Sequence, residues 1–275
     1  MPRRFWIGLL LVVVCWPLNW LLEGLRTHLL FFPLWLGYVL AVDGWTFRRT
    51  GTSELARSRR LFVLSFLISI PSWWLFEAFN LRLGNWEYLG RERFGDVEYF
   101  LLASLSFSTV TPAVIGTAEL LRSFGWVERF RAGPRIRPSA RLDATLALLG
   151  AAMLAAMFAW PTYCFPFAWT SLVLMLEPVA RRLGRRTLLD DLARGDWRPW
   201  MALWAGGLLC GFFWEMWNLW SYPKWIYHIP FVGFGKVFEM PILGYLGYLP
   251  FALEVYLLRA LLEPAAPRSG ELATD

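Results

Sequence analysis

Residues 74–80 read WLFEAFN and residues 212–218 read FFWEMWN. Both stretches place a glutamate three positions before an asparagine among aromatic residues, and the glutamates, Glu77 and Glu215, are 138 residues apart. An ionisable residue inside an apolar segment is costly in a bilayer and is commonly functional. The two copies therefore predict an internally duplicated membrane protein with a functional acid in each half.

The similarity of the two copies continues past the glutamates. The asparagines, Asn80 and Asn218, have the same 138-residue offset. A Trp-x-Tyr triplet follows each copy, and its members are Trp86 and Tyr88 in the first, and Trp225 and Tyr227 in the second.

The composition is that of a membrane protein. The 275 residues are 57% hydrophobic and 18% aromatic, whereas soluble domains are usually about 45–50% apolar. The net charge of +6 lies in short loops between apolar runs, so it is interpreted as a topology signal rather than a nucleic-acid-binding surface. We predict an all-α, polytopic transmembrane helical bundle whose main partner is the lipid bilayer.

Eight apolar runs approach the ~20 residues that a spanning helix needs. The predicted spans are 5–25, 28–46, 61–80, 98–121, 142–162, 164–180, 199–220 and 238–260.

The loops between these runs alternate in charge. Arginines concentrate in 46–60, 122–141 and 181–198, while 81–97 and 221–237 are sparse or balanced. The positive-inside rule then places the arginine-rich loops and both termini in the cytoplasm of a multi-pass protein of a bacterial-type inner membrane. Acids near the inner helix ends are expected to pair with loop arginines; they are Asp43, Glu119, Glu177 and Glu254.

The duplication predicts a domain organisation. A first four-span repeat covers 1–122, an arginine-rich linker 123–141, a second four-span repeat 142–262, and a disordered cytoplasmic tail 263–275. Because each repeat has an even number of spans, both enter the membrane in the same direction. The halves should be related by rotation about the membrane normal, with a site at their seam.

The repeated residues form the candidate site. Positions three apart share a helical face, so Asn80 and Asn218 are expected to orient Glu77 and Glu215, the candidate acid and base. The alternative is a glutamate that snorkels to water and an asparagine that caps its helix.

The aromatic triplets also allow two interpretations. Trp86, Tyr88, Trp225 and Tyr227 either line a substrate site, together with Glu239, or form an interfacial aromatic belt. With only two histidines and three scattered cysteines, we predict no metal site, and no motif predicts a cofactor. The sequence does not predict the oligomeric state.

The stretch FNLRLGNWEYLG (79–90) resembles the lycopene (carotenoid) cyclase domain family through Gly84, Trp86 and Tyr88. The resemblance implies a duplicated membrane enzyme that protonates an isoprenoid double bond and quenches the resulting cation. The segment 224–256 also resembles a group of uncharacterised bacterial membrane proteins, which implies no function.

Three functions follow as hypotheses. The first is a membrane enzyme that acts on an apolar lipid or isoprenoid by acid-base catalysis, which predicts that both glutamates converge on a closed apolar pocket. The second is a transporter or lipid carrier, which predicts a water path that continues to Asp43 and Glu177. The third is a non-catalytic membrane scaffold.

Overall fold

The computed structural model describes residues 1–262, so the predicted tail 263–275 lies outside the described residues. Within that range the chain is all-α apart from two short ribbons, as predicted. The helices are α1 (Arg3–Leu21), α2 (Thr27–Thr50), α3 (Glu54–Arg57), α4 (Arg59–Leu83), α5 (Asp96–Phe107), α6 (Val110–Arg122), α7 (Ala140–Ala159), α8 (Pro161–Cys164), α9 (Ser171–Arg182), α10 (Leu188–Ala193), α11 (Arg198–Asn218) and α12 (Tyr248–Leu262). The strands are β1 (Trp86–Leu89), β2 (Lys224–Tyr227), β3 (Lys236–Val237) and β4 (Met240–Pro241).

Seven helical segments within residues 1–262 are long and apolar enough to cross a membrane, which is consistent with an integral membrane protein. They are Arg3–Leu21, Thr27–Thr50, Arg59–Leu83, Asp96–Arg122, Ala140–Ala159, Pro161–Arg182 and Ile242–Leu262. The remaining predicted span, 199–220, coincides with the 21-residue α11, which is not among the seven. Its mean hydropathy is lowered by four tryptophans, three glycines and Glu215.

Two peripheral hairpins present apolar faces to the outside. Helix α1 packs along α2 through glycines: a Cβ built on Gly8 would lie 2.5 Å from the carbonyl oxygen of Gly37. Helix α7 approaches α9 in a similar way, because a Cβ on Gly150 would lie 2.7 Å from the carbonyl oxygen of Ser171. In α1 and in α7, only 17% of an apolar 18-residue stretch is buried inside the protein. This low burial is expected for helices that face lipid.

The predicted fourth span is broken between α5 and α6. Pro112 cannot donate a backbone hydrogen bond to the carbonyl of Ser108, four residues earlier, which opens the helix there. Ser69 of α4 compensates: its hydroxyl donates to the carbonyl of Phe107 (2.6 Å) and accepts from the amide of Thr111 (3.0 Å). The predicted eighth span is shortened, because α12 begins at Tyr248, two residues before Pro250.

One end of the bundle, here called the arginine end, carries α3 and α10 in the loops after α2 and α9. Asp43 accepts the amide hydrogen of Leu55 (3.0 Å), and Glu177 accepts that of Leu189 (2.8 Å). The two acids are 134 residues apart in the chain, and so are the two leucines. Each acid therefore anchors the short helix that follows its own span.

The expected pairing of inner acids with loop arginines is found for Glu119, which pairs with Arg57 (2.5 Å). Asp43 pairs with an arginine outside the loops, Arg4 of α1 (2.5 Å). For the other two acids the prediction is wrong. Glu177 bonds to backbone instead, and both carboxyl oxygens of the fully buried Glu254 lack a hydrogen-bond partner among the described residues.

Candidate functional site: two carboxylates behind an aromatic cavity

Helix α4 ends at Gly84, whose left-handed backbone (φ +61°) turns the chain into β1. Asn80, in the last turn, holds that strand against the helix. Its Nδ2 donates to the carbonyl of Trp86 (2.7 Å), and its Oδ1 accepts from the amides of Asn85 (2.9 Å) and Trp86 (3.2 Å). Asn80 therefore positions β1 through three hydrogen bonds.

The end of α11 repeats this arrangement. Asn218 donates from Nδ2 to the carbonyl of Trp225 (2.7 Å) and accepts at Oδ1 from the amide of Trp225 (3.0 Å). The expected hydrogen bond from asparagine to the neighbouring glutamate is not the contact that forms. Both asparagines bind the backbone of the following strand, because that backbone arrives with an unpaired donor and acceptor.

The strands in turn carry the donors that hold the glutamates. In the first half, Oε1 of Glu77 accepts from the Tyr88 hydroxyl (2.6 Å), the Trp73 indole N–H (2.8 Å) and the Trp86 indole N–H (3.2 Å). Trp86 and Tyr88 therefore contact Glu77 directly, rather than only sharing its end of the bundle.

In the second half, Oε1 of Glu215 accepts from the Tyr227 hydroxyl (2.6 Å), the Tyr248 hydroxyl (2.8 Å) and the Trp225 indole N–H (3.4 Å). Glu215 is fully buried, and its Oε2 has no hydrogen-bond partner among residues 1–262. A buried, unpaired carboxyl oxygen is costly when the group is ionised.

The third donor comes from a different place in each half. In the first half it is Trp73, on the same helix as Glu77. The residue 138 positions later is Gly211, and a Cβ there would lie 2.4 Å from the ring of Tyr248. The glycine leaves the space that the Tyr248 ring occupies, so a phenol from α12 replaces the indole.

The two strands pair antiparallel and join the two halves. Trp86 lies opposite Tyr227 and Tyr88 lies opposite Trp225, so each tryptophan faces the tyrosine of the other copy. The pairing brings together two segments that are about 140 residues apart in the chain. This ribbon marks the end of the bundle opposite the arginine end, and we call it the ribbon end.

A cavity of about 590 Å³ lies beneath the ribbon. Its volume is within the range of small-molecule sites, ~300–1,000 Å³. The donors to the glutamates line it. Phe251 packs against one donor from each half, with ring centroids 5.8 Å from Trp73 and 6.3 Å from Tyr248. Neither Glu77 nor Glu215 lines the cavity, because the aromatic residues stand between them and the space. The predicted convergence of both glutamates on an apolar pocket is therefore wrong: their hydrogen-bond donors line the pocket instead.

The strand tyrosines present hydroxyl groups that stay protonated. Burial raises the pKa of Tyr88 well above its ordinary value, and the neighbouring Glu77 raises this pKa further. Burial followed by Glu215 raises the pKa of Tyr227 in the same way. Each phenol therefore stays protonated near neutral pH and can donate to its carboxyl group.

Glu239, predicted to join the site, lies beside it. Its carboxylate pairs with Lys224, whose Nζ also donates to the carbonyl of Leu219 (3.0 Å). His228 pairs through Nε2 with Glu87 (2.9 Å) on the exposed edge of the ribbon. Within the described residues, no three His, Cys, Asp or Glu side chains meet as a metal site would require.

Three site residues were not predicted from the sequence: Trp73, Trp169 and Tyr248. Trp73 carried a signal, because it lies four residues before Glu77 on the same helical face. Trp169 stacks on Phe76 at 5.3 Å. Tyr248 could not be found from the repeat, because the residue 138 positions earlier is Val110.

Comparisons of the chain with protein-family models, with curated proteins and with solved structures give no match.

Proposed function

We propose that this chain is an eight-span enzyme of a bacterial inner membrane that protonates and deprotonates a carbon–carbon double bond of an apolar lipid or isoprenoid. The main support for this proposal is the structure of the cavity wall. In each half, a tryptophan and a tyrosine that line the cavity also donate hydrogen bonds to a carboxyl group behind it. The resemblance to carotenoid cyclases implies the same class of reaction.

The proposed topology has both termini and the arginine end in the cytoplasm, α11 as the seventh span, and two parallel four-span repeats. The reciprocal strand pairing supports the repeat, because a two-fold rotation exchanges Trp86 with Trp225 and Tyr88 with Tyr227. The equivalent anchoring of Leu55 and Leu189 at the arginine end supports it independently.

In the proposed reaction one carboxyl group starts protonated and the other ionised. We assign the proton to Glu215, whose Oε2 has no partner. In the ground state the Tyr227 hydroxyl donates to Oε1 of Glu215. For the transfer this hydroxyl turns its hydrogen toward the alkene, and the protonated oxygen of Glu215 becomes the donor to the Tyr227 oxygen. Glu215 then passes its proton to Tyr227 while Tyr227 gives its own proton to the alkene. The two transfers are concerted, because the raised pKa of Tyr227 disfavours a free tyrosinate.

The resulting carbocation lies among ring faces, which stabilise positive charge. Tyr88 then removes a proton from the neighbouring carbon while passing its own to the Glu77 carboxylate. The substrate loses and gains one proton, so the net reaction is an isomerisation or a cyclisation and needs no redox partner. Proton exchange between the carboxyl groups or with water restores the starting state.

The test uses the purified full chain in D₂O with lycopene and geranylgeraniol as probes. Protonation and deprotonation should place deuterium on carbon, detectable by mass spectrometry. Glu77→Gln and Glu215→Gln should each reduce incorporation about 100-fold or more, the usual contribution of an acid or base. Glu119→Gln, which removes the partner of Arg57 at the arginine end, is the matched control and should retain activity.

Absence of deuterium in both probes with the wild-type protein would refute the proposal for these lipids. Incorporation that survives both substitutions would refute the role of the carboxyl groups.

The second candidate function is a proton-coupled lipid carrier, and Glu254 favours it. This acid is fully buried in α12 without a hydrogen-bond partner among the described residues, and unpaired intramembrane acids mark proton relays. However, neither Asp43 nor Glu177 lines the cavity, so the path expected of a transporter lacks support. Proton-driven lipid uptake by vesicles that Glu254→Gln abolishes would favour the carrier.

A further inference from the structure

The charged residues of the cavity wall are all of one sign. Arg91 and Lys224 line the cavity together with His28, and no aspartate or glutamate does. We propose that the cavity binds a chain lipid that ends in a phosphate monoester, with the phosphate held by these three side chains and the chain among the aromatic residues. This inference rests on the proposal that the cavity is the ligand site, but not on any particular reaction there.

The ribbon brings the arginine and the lysine to the same place. Leu89 and Lys224 are paired in the strand register, and Arg91 follows Leu89 by two residues. Between them, a Cβ built on Gly90 would lie 3.3 Å from the ring of Pro223. Arg91 and Lys224 therefore extend from adjoining backbone at one edge of the cavity.

Helix α2 brings the histidine to the same edge. The His28 ring lies 5.4 Å from the ring of Phe94, whose carbonyl accepts from Arg91 (2.9 Å). The preceding residue, Thr27, is bonded through its amide to the carbonyl of Tyr222 (3.0 Å). His28 is the second residue of the 24-residue helix α2. At this end of a helix the dipole favours an anion.

The side chains of this edge keep donor capacity for a ligand. Lys224 directs two of its three hydrogens to Leu219 and Glu239. Arg91 directs two of its five to Phe94 and Asp96.

The Nδ1 atom of His28 is buried and has no hydrogen-bond partner among residues 1–262. Arg91 pairs with Asp96, but that carboxylate is 96% exposed, so water screens the pair and it contributes little. Glu239, the partner of Lys224, does not line the cavity.

The chemistry of the three donors suits a phosphate. A phosphate monoester offers several charged oxygens in a tetrahedron, so it can accept from an arginine, a lysine and a histidine that approach from different segments. A lipid without a polar head would leave the His28 nitrogen unpaired, and an uncharged head would form weaker hydrogen bonds with the arginine and the lysine. Away from this edge the wall is aromatic and aliphatic, including Trp169 and Phe251, which suits a hydrocarbon chain.

The test is a binding measurement on the full chain in dodecyl maltoside, which contains no phosphate. Native mass spectrometry should show geranylgeranyl phosphate bound at least about tenfold more tightly than geranylgeraniol, because charge-assisted hydrogen bonds contribute ~1.5–3 kcal/mol. Phosphatidic acid and inorganic phosphate, tested in the same measurement, distinguish a phosphate carried by a lipid from free phosphate. Phosphatidic acid competing for the site supports a phosphate-headed lipid, whereas inorganic phosphate bound as tightly as the lipid overturns the role of the chain.

Substitution locates the headgroup. Arg91→Gln should weaken binding of geranylgeranyl phosphate about tenfold and leave geranylgeraniol unchanged. Arg93→Gln is the matched control, because this nearby arginine is exposed and does not line the cavity. Equal losses for the phosphate and the alcohol, or equal losses for Arg91→Gln and Arg93→Gln, would overturn the proposal.

The wild-type comparison of phosphate with alcohol needs no variant, so it decides the matter even if Arg91→Gln fails to fold. Its outcome is also separate from the proposed reaction. Tight phosphate binding without deuterium exchange would refute the reaction alone. Exchange into geranylgeraniol with no preference for the phosphate would refute this inference alone.

Discussion

At the scale of single residues, the repeated glutamate and asparagine have different roles. The asparagine pins the strand, the strand presents a tryptophan and a tyrosine, and these side chains hold the glutamate. Asn218 is 1% exposed and Glu215 is 0% exposed, so each lost hydrogen bond would leave a buried polar group unpaired. The Glu-x-x-Asn spacing therefore couples backbone anchoring to carboxylate placement.

We expect Asn218→Ala to detach β2 from α11. It leaves the amide and the carbonyl of Trp225 without partners, at ~1–3 kcal/mol for each buried group. Thermal unfolding should occur at lower temperature, and the amide of Trp225 should exchange hydrogen faster. Asn85→Ala is the control, since the described hydrogen bonds of this buried asparagine come from its backbone; an equal effect there would contradict the anchoring role.

At the scale of helices, glycines set how closely neighbours approach. A Cβ at Gly37 would lie 2.7 Å from Cβ of Leu11 and 2.8 Å from the carbonyl oxygen of Gly8. Both atoms belong to, or are attached to, the α1 backbone, so no flexible side chain can move away. The small residues therefore let α1 and α2 pack along much of their length, as small-residue interfaces do in membranes.

Gly37→Ala should accordingly force α1 away from α2. Overpacking costs ~1–3 kcal/mol, to be measured as a lower midpoint of thermal or denaturant unfolding in detergent. Gly116→Ala is the matched control, because the nearest atom to a Cβ there is Cγ1 of Val42 at 3.7 Å. Similar stability for the two variants would show that the α1–α2 contact has room for a methyl group.

At the scale of the whole molecule, the two ends of the bundle differ in chemistry. The arginine end holds ion pairs between acids and arginines, such as Arg259 with Glu54 (2.6 Å) and Arg181 with Asp143 (2.8 Å). The ribbon end holds the antiparallel strands above the aromatic cavity. The proposed orientation, with the arginine end in the cytoplasm, follows from the concentration of arginines in the loops of that end.

Labelling of single cysteines tests the proposed orientation. In a background without Cys15, Cys164 and Cys210, we expect an impermeant thiol reagent applied outside intact cells to modify Glu92→Cys and to miss Arg48→Cys. Both positions are exposed, so accessibility in broken cells serves as the control. Labelling of Arg48→Cys from outside would contradict the orientation and the eight-span topology.

The sequence by itself determined the helical class, the approximate positions of the long apolar helices, and the residues that recur in both copies. These follow from local properties, namely apolar runs of bilayer length and a fixed offset. It could not show that the fourth span breaks before Pro112, because the groups freed there are satisfied by Ser69 of another helix. The direct partners of the asparagines also depended on a strand that composition does not predict.

Only the tertiary structure decided which side chains meet at the site. Tyr248 reaches Glu215 because Gly211, distant in sequence, leaves space for its ring. His28, Arg91 and Lys224 share one edge of the cavity because the strand register and the start of α2 place them there. Such contacts between distant segments depend on packing in three dimensions, which no local spacing records.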